Sequence, residues 1–356
     1  MAVDFNFDKA SFDALVGGFS TLDVRSLKIS DLEQARDFIS AYGYNLSVEE
    51  DVTQLWKFHR RAVTFIQSEL LEDGEAIPSI LADPNELKDI SYLLIYASTE
   101  DRRPQSLQSW ACAILKVIHV LAHLENDLFT FFSEEIQDQI LKPYQTHIYD
   151  DPASGIRLLD GKKTEAIPLK KFDIKPFKNS YSAITKLLAK PEQVAFSLLD
   201  KMGVRFVTRH LFDVFRVMRF LLQQNLVSFP HVIPDQSNNT LYPVNLFLEA
   251  IENFTPDMKL SPQEIDAKLY QKLDKTLERA EFNKKLNAFS SDEYRFIKFI
   301  TRGLVRVQWP GKERPLSFFY PYEIQIVDYD TYLTNMSGSS SHQQYKIRQK
   351  KRARQR

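Results

Sequence analysis

The sequence predicts an α+β protein in which an all-α N-terminal region precedes a mixed β-sheet flanked by helices. Residues 1–150 carry apolar side chains at helical spacing, whereas the later part of the chain alternates short strand-like runs with helices. With 356 residues, the chain is long enough for about two domains. We therefore expect a helical domain over 1–150, a mixed domain over 151–346 and a basic tail over 347–356.

The helical part contains three long helical patterns, at residues 47–71, 106–132 and 134–144. The single cysteine, Cys112, lies within the second pattern. Because the sequence has one cysteine, an internal disulfide and a multi-cysteine metal site are excluded. The formal net charge is −1, so no global charge points to nucleic acid or membrane. The N-terminus is acidic where a signal peptide is basic, and no uninterrupted apolar run approaches 18 residues. These features predict a cytoplasmic protein without a membrane partner.

The second part changes from strands to helices several times before ending in a hairpin. The predicted elements, in order, are a linker over 150–176 that leads into short strands, helices at 180–189 and 191–201, a strand at 203–208, a helix at 211–224, inserted helices at about 244–286, and strand-like runs at 294–309 and 317–327. The sequence PGKERP joins the last two runs and is typical of a hairpin turn. This order predicts one sheet with a helical insertion.

The last strand-like run carries a carboxylate. Tyr322, Ile324 and Ile326 alternate with Glu323 and Gln325, which indicates one apolar and one polar face. In a mixed domain, such a polar face lies either at a solvated sheet edge or in a cleft. Both interpretations are open from the alternation alone.

Two further polar patterns have a structural and a functional interpretation. Lys178, Ser182, Lys186 and Lys190 are spaced by four, so they share one helix face. That face is either a solvated lysine stripe or a cradle for polyphosphate. Asp200 lies at a helix-to-strand junction and is either a surface acid or a magnesium ligand.

His119 and His123 lie one helical turn apart in the second helical pattern. The pair could supply two metal ligands, but two ligands alone do not make a site and the motif lacks the glutamate of HExxH. The surrounding residues are apolar. We therefore interpret both histidines as structural, and partly or fully buried.

Three short motifs, in order along the chain, resemble the synthetase domain of the RelA/SpoT family of alarmone synthetases. KNSYSAITK at 178–186 resembles the phosphate-binding loop R-x-K-x-x-Y-S-I-x-x-K, and DKMGVRF at 200–206 resembles D-x-x-G-x-R-[IV]. EIQI at 323–326, followed by HQQYK at 342–346, resembles the family's closing strand and H-x-x-Y-K segment. The resemblance covers about 175–346 and does not reach the N-terminal half.

The resemblance implies a nucleotidyltransferase-like synthetase fold that uses Mg²⁺ to transfer pyrophosphate from ATP to the 3′-hydroxyl of GDP or GTP. Such a transfer depends chiefly on positioning and charge neutralisation. Carried over residue by residue, it assigns Lys178, Ser182, Lys186 and Arg205 to ATP, Asp200 and Glu323 to Mg²⁺ and catalysis, and Tyr294, Lys298, Gln325 and His342 to the acceptor.

Departures from the family pattern leave alternatives open. The loop arginine aligns with Pro176, and the neighbouring Lys175 is the available substitute, although a lysine does not reproduce a planar guanidinium. Either Phe289 or Tyr294 stands where the family stacks guanine, and we prefer Tyr294.

These departures leave two other functions open. A diverged toxin would pyrophosphorylate tRNA or adenosine nucleotides, with the basic segment 346–356 as a candidate for RNA contact. Alternatively, a catalytically inactive regulatory protein would bind a nucleotide or alarmone.

Overall fold

The computed structural model describes residues 20, 22, 27–101, 103, 105–125, 131–153, 155–162, 165–177, 180–190, 198–276, 278, 280–284, 294–337 and 342–356, apart from the side chains of Ser180, Pro256 and His342. The chain forms two compact units, each built from separate segments. The first comprises 1–130, 179–198 and 348–356, and the second comprises 131–178 and 199–347. The sequence instead predicts consecutive domains that meet at residue 150.

The described residues of the first unit form helices joined by turns and loops, and none of them lies in a strand. Its helices are α1 (Leu32–Tyr42), α2 (Glu49–Phe65), α3 (Ser79–Ala82), α4 (Pro84–Leu87), α5 (Tyr92–Ala97), α6 (Leu107–Glu125), α8 (Ser180–Ala189) and the C-terminal part of α13 (His342–Gln355). Helix α2 continues into a π-helical turn, Ile66–Leu70. The predicted all-α character of the N-terminal region is confirmed.

Helix α6 is the centre of the first unit because α2, α3, α5 and α8 all pack against it. Its buried side chains include Ala111, Ile114 and Leu121. By length and composition α6 could cross a membrane, but 44% of its apolar window is buried inside the protein. A core helix of a soluble protein passes the same test, so α6 alone is weak evidence for a membrane span.

The C-terminal basic segment differs from the prediction. The sequence predicts a separate basic tail over 347–356, whereas this stretch continues helix α13 and buries Ala353 in the core of the first unit. Arg354 pairs with Glu75 at 2.6 Å, and Lys350 forms an ion pair with Glu69. Acidic partners from the π-helical turn after α2 and from the loop that follows it therefore neutralise part of the basic run, which a local sequence pattern does not reveal.

The second unit contains a seven-stranded sheet. Its strands are β1 (Ile148–Asp151), β2 (Gly155–Leu159), β3 (Ala166–Lys175), β4 (Gly203–Thr208), β5 (Asn238–Asn239), β6 (Ile297–Val307) and β7 (Leu316–Asp328). Its helices are α7 (Ser133–Gln145), α9 (Leu211–Gln223), α10 (Val244–Ile251), α11 (Pro262–Thr276) and α12 (Tyr329–Met336), together with the start of α13. The predicted α+β class is confirmed, and α10 and α11 lie within the stretch where the sequence predicts inserted helices.

The strand order is β1-β2-β3-β4-β7-β6-β5. Among the described strands, β4 and β7 pair in parallel and the other neighbours pair antiparallel. Helix α9 contacts β3, β4 and β7. The apolar side chains of Phe206, Ile324 and Ile326 are fully buried. One face of the central strands is therefore a hydrophobic core, and the other is available for polar groups.

The segment before β4 is described in part. Residues 191–197 of the helix predicted at 191–201 lie outside the described residues, and Asp200 lies in a turn rather than at a helix end. The turn leads directly into β4, whose predicted bounds of 203–208 are confirmed.

Candidate functional site

A polar surface covers the face of the central strands opposite their hydrophobic core. Strand register places Lys175 opposite Gly203 and Gly203 opposite Glu323. On the same face, Arg205 pairs with Gln325, which in turn pairs with Lys298. Because side chains at paired positions point the same way, four neighbouring strands contribute to this polar floor.

Glu323 is the centre of the polar floor and is 8% exposed. Its Oε1 accepts a hydrogen bond from Lys175 Nζ at 2.7 Å, and its Oε2 lies 3.2 Å from Lys298 Nζ. The interpretation of the EIQI strand as a solvated edge is therefore wrong, since β7 lies between β4 and β6 and its glutamate is held by two ammonium groups.

Lys298 interacts with more than one carboxylate. The negative charge of Glu323 holds the pKa of Lys298 above its ordinary value, against the opposing effect of burial. The charges of Asp200 and Tyr345 also raise the pKa of Lys298. Lys298 is therefore an ammonium at neutral pH, and Asp200 and Glu323 both belong to its electrostatic surroundings.

Gln325 connects Glu323 to an aromatic ring. Its Oε1 accepts a hydrogen bond from Lys175 Nζ at 2.8 Å, and its Nε2 donates to Tyr294 Oη at 3.3 Å. Tyr294 lies three residues before the start of β6 and is half-buried. Its proposed role in acceptor binding stays a prediction, as does the choice over Phe289, which lies outside the described residues.

Arg205 occupies a second cluster on the floor. It donates two hydrogen bonds to Asp173 Oδ2, at 2.6 and 3.0 Å, and its guanidinium lies 5.4 Å from the ring centroid of Tyr332. Lys171 pairs with the other oxygen of Asp173 at 3.0 Å. Burial raises the pKa of Asp173, but the hydrogen bonds from Arg205 and Lys171 outweigh it, so the net pKa is lowered.

The predicted ATP-binding residues are only partly described. Lys178 lies outside the described residues. Ser182 is exposed and Lys186 is half-buried on α8 in the first unit, while Ile184 and Leu187 bury the opposite face as predicted. Their contact with phosphate stays a prediction, and so does the role of His342, whose side chain is not described.

The motif resemblance suggests Lys175 only as a substitute for the missing loop arginine. Its ammonium binds Glu323 and Gln325 instead. A signal for this role was present in the sequence, because Lys171, Asp173 and Lys175 alternate with Phe172 and Ile174 in β3. That alternation gives β3 a polar face like the one on β7.

Asp200 and Glu323 carry the kind of oxygen ligand that Mg²⁺ prefers. Mg²⁺ takes oxygen ligands and needs only one or two protein carboxylates when substrate phosphates supply the rest. Asp200 and Glu323 provide two, and the described residues contain no group of three or more His, Cys, Asp and Glu side chains that could hold a metal by themselves. Each oxygen of Glu323 faces one lysine and has a second lone pair, so the carboxylate can bind a metal ion while both lysines stay in place.

The histidine pair supports the structural interpretation. Tyr42 Oη lies 2.8 Å from His119 Nδ1, and the rings of His119 and His123 meet edge-on with centroids 4.5 Å apart. Burial, followed by the neighbouring His123, lowers the pKa of His119 to about 4. A neutral, hydrogen-bonded imidazole in a helical core needs no metal to explain it.

No family model matches the sequence, and no curated protein matches it. Among solved structures, the fold is similar to small alarmone synthetase 1 from Bacillus subtilis bound to its product pppGpp, with 12% identity and a TM-score of 0.30, over 63% of this chain and 87% of that one. A GTP pyrophosphokinase family protein from Streptococcus pneumoniae matches with 14% identity and a TM-score of 0.27, over 63% and 85% of the two chains. Small alarmone synthetase 2 from Bacillus subtilis matches with 14% identity and a TM-score of 0.26, over 64% and 90%. These structures belong to the family that the three motifs resemble.

Proposed function

We propose that the protein is a nucleotide pyrophosphokinase of the RelA/SpoT type, which transfers pyrophosphate from ATP to the 3′-hydroxyl of a nucleotide. The observation that carries this proposal is the placement of Glu323. The glutamate that the motif resemblance marks as catalytic is buried in the polar floor between two ammonium groups, and one of these, Lys298, also interacts with Asp200. A sheet-edge glutamate would have no such surroundings.

The chemistry is a displacement at phosphorus. The acceptor's 3′-oxygen forms a bond to the β-phosphorus of ATP, the bond between that phosphorus and the α,β-bridging oxygen breaks, and AMP leaves. Glu323 takes the proton of the hydroxyl at a carboxylate oxygen. Lys298 stays protonated and lies beside that carboxylate, where its charge stabilises the phosphoryl oxygens as the bonds change.

ATP is bound by its phosphates. Lys178, Ser182 and Lys186 contact them in the motif resemblance, and a lysine face near a helix N-terminus favours anions. Asp200 and Glu323 would hold Mg²⁺ together with those phosphates. When bound, the metal supplies charge neutralisation and alignment of the transferred group.

The acceptor is a guanosine nucleotide, GDP or GTP, with Tyr294 as the stacking ring and Gln325 positioning it. Transfer to tRNA is less well supported, because Arg354 and Lys350 of the basic segment already pair with glutamates of the first unit. The reaction fits a cytoplasmic enzyme, where both nucleotides are available.

Transfer of radiolabel from β- or γ-labelled ATP tests the proposal. The purified protein is incubated with Mg²⁺ and, separately, with GDP, GTP, AMP, ADP, ATP and deacylated tRNA. Glu323→Gln and Asp200→Asn should each reduce transfer by about 10²-fold or more, since each removes a positioned catalytic group. Glu313→Gln is the matched control, because Glu313 is exposed in the hairpin turn between β6 and β7.

The outcomes separate the candidate functions. Product on GDP or GTP that disappears in both site variants supports the synthetase, and product on tRNA or adenosine nucleotides supports the toxin. Nucleotide binding without transfer to any acceptor identifies a regulatory protein and overturns the enzymatic proposal. Full activity in Glu323→Gln would show that Glu323 is not the catalytic base.

A further inference from the structure

Lys175 reaches across one whole strand to contact the catalytic carboxylate. It is the last residue of β3, and Gly203 of β4 lies between it and Glu323 of β7 in the register. Neighbouring strands lie about 4.8 Å apart, so the Cα atoms of Lys175 and Glu323 are separated by roughly 10 Å. An extended lysine and a glutamate together span that distance, and Gly203 leaves the path between them free of any side chain.

The same ammonium sets the orientation of an amide. Lysine has three donors and no acceptor, so the oxygen of Gln325, and not its nitrogen, must face Lys175 Nζ. The amide nitrogen then points towards Tyr294 Oη, to which it donates at 3.3 Å. One cation therefore connects the carboxylate that takes the proton with the ring assigned to the acceptor.

Lys298 does not duplicate this connection. It contacts the other oxygen of Glu323, at the longer distance of 3.2 Å, and its remaining electrostatic partners are Asp200 and Tyr345. Lys175 instead makes two short contacts, of 2.7 and 2.8 Å, to side chains two residues apart on one strand. Two simultaneous hydrogen bonds restrict both partners, which is a geometric role.

We propose that Lys175 is a positioning residue, which holds Glu323 towards the acceptor hydroxyl and, through Gln325, holds Tyr294 against the acceptor base. This inference rests on the proposed function. It also explains how the chain differs from the motif that it resembles: the residue beside Pro176 positions the catalytic base and the acceptor ring, and does not contact the ATP phosphates.

The variant Lys175→Met removes the ammonium and keeps an unbranched apolar side chain. We expect kcat to fall by about 10- to 100-fold, because misplacement of a reacting group by about 1 Å has an effect of that order. The KM for the acceptor should rise and the KM for ATP should stay unchanged. Lys175→Arg keeps the charge and should recover part of the activity, whereas Lys175→Gln should not.

The pH profile distinguishes positioning from a general loss of structure. Removing a cation from a carboxylate raises the pKa of that carboxylate, so the acidic limb of kcat/KM should move to higher pH in Lys175→Met and stay in place in Lys175→Arg. Lys170→Met is the matched control. Lys170 is exposed on the same strand, its ammonium lies over the Tyr329 ring, and its replacement should change neither profile nor KM.

A readout without turnover separates this inference from the proposed function. In protein labelled with ¹³C at the glutamate carboxyl, the Glu323 signal is identified by its loss in Glu323→Gln and followed by NMR through a pH titration. We expect its midpoint to rise in Lys175→Met and Lys175→Gln. An unchanged midpoint in both, or an unchanged acceptor KM and pH profile in an active enzyme, overturns the role of Lys175. Absence of transfer by the wild-type protein, together with the shifted midpoint, overturns only the enzymatic proposal.

Discussion

Gly203 is the position where a single added carbon should disturb both the fold and the site. A Cβ built at Gly203 would lie 2.2 Å from the backbone oxygen of Glu323 and 2.9 Å from its Cβ. Most of the atoms that clash with this Cβ belong to the backbone of Glu323, so rotation of a side chain does not relieve the clash. In Gly203→Ala, β4 and β7 must therefore separate by about 1 Å from an ordinary spacing of about 4.8 Å.

The expected loss of stability follows from that separation. Overpacking of a close contact costs about 1–3 kcal/mol, and weakening a neighbouring ladder bond, such as the 2.9 Å bond from Glu323 N to Met202 O, adds about 1 kcal/mol. We therefore expect Gly203→Ala to lower the free energy of unfolding by about 2–4 kcal/mol. Displacement of Glu323 should reduce any transferase activity by about 10²-fold.

Urea unfolding, combined with amide hydrogen exchange in β4 and β7, measures this effect within the second unit. The control is Gly161→Ala, because a Cβ at Gly161 meets nothing within 4 Å. That variant should be neutral or slightly stabilised through its less flexible unfolded chain. Equal unfolding midpoints and equal exchange rates in the two variants would refute the close-contact argument.

Three further changes have defined outcomes. The pKa of His119 is lowered to about 4 from 6.5, so the unfolded chain binds a proton at this residue before the folded chain does as the pH falls. The free energy of unfolding should therefore drop by up to about 3 kcal/mol between pH 6.5 and 4. Urea midpoints measured over this pH range should change less in His119→Gln than in the wild-type protein. Arg354→Gln should speed tryptic cleavage of α13 by removing the ion pairs with Glu75, whereas Arg352→Gln, exposed on the same helix, should leave the rate unchanged. Tyr322→Phe should lower the melting temperature modestly, for a loss of about 1 kcal/mol, since it removes the 2.8 Å bond to the Tyr144 hydroxyl.

Local patterns in the sequence identified most of the strands and helices. The alternation around Glu323 located β7, and PGKERP located the hairpin before it. These patterns succeed because they depend on the periodicity of a single element. They did not decide whether the polar face of β7 was solvated, since that depends on which strands lie on either side.

Features that join distant parts of the chain were not predictable in the same way. The basic segment after residue 346 has no apolar periodicity, yet its ion pairs are with glutamates about 280 residues earlier. The contact between Lys175 and Glu323 depends on the register of three strands and on the glycine between them. Such contacts are set by tertiary pairing, for which one sequence carries no direct signal.

The connectivity of the sheet brings two strand ends together beside Glu323 on the polar floor. The chain leaves the sheet after Lys175 and re-enters it at Gly203, which pairs with Lys175 on one side and with Glu323 on the other. The excursion between them carries Ser182 and Lys186 on α8, the helix assigned to ATP by the motif resemblance. The end of β3 and the start of β4 therefore pair with each other next to Glu323, so the segment that the motif resemblance assigns to ATP leaves and rejoins the sheet beside this residue of β7. A carboxylate elsewhere on β7 would lack that property, so the position of the acid within the strand, and not merely its presence, supports the assignment of Glu323 as the catalytic base.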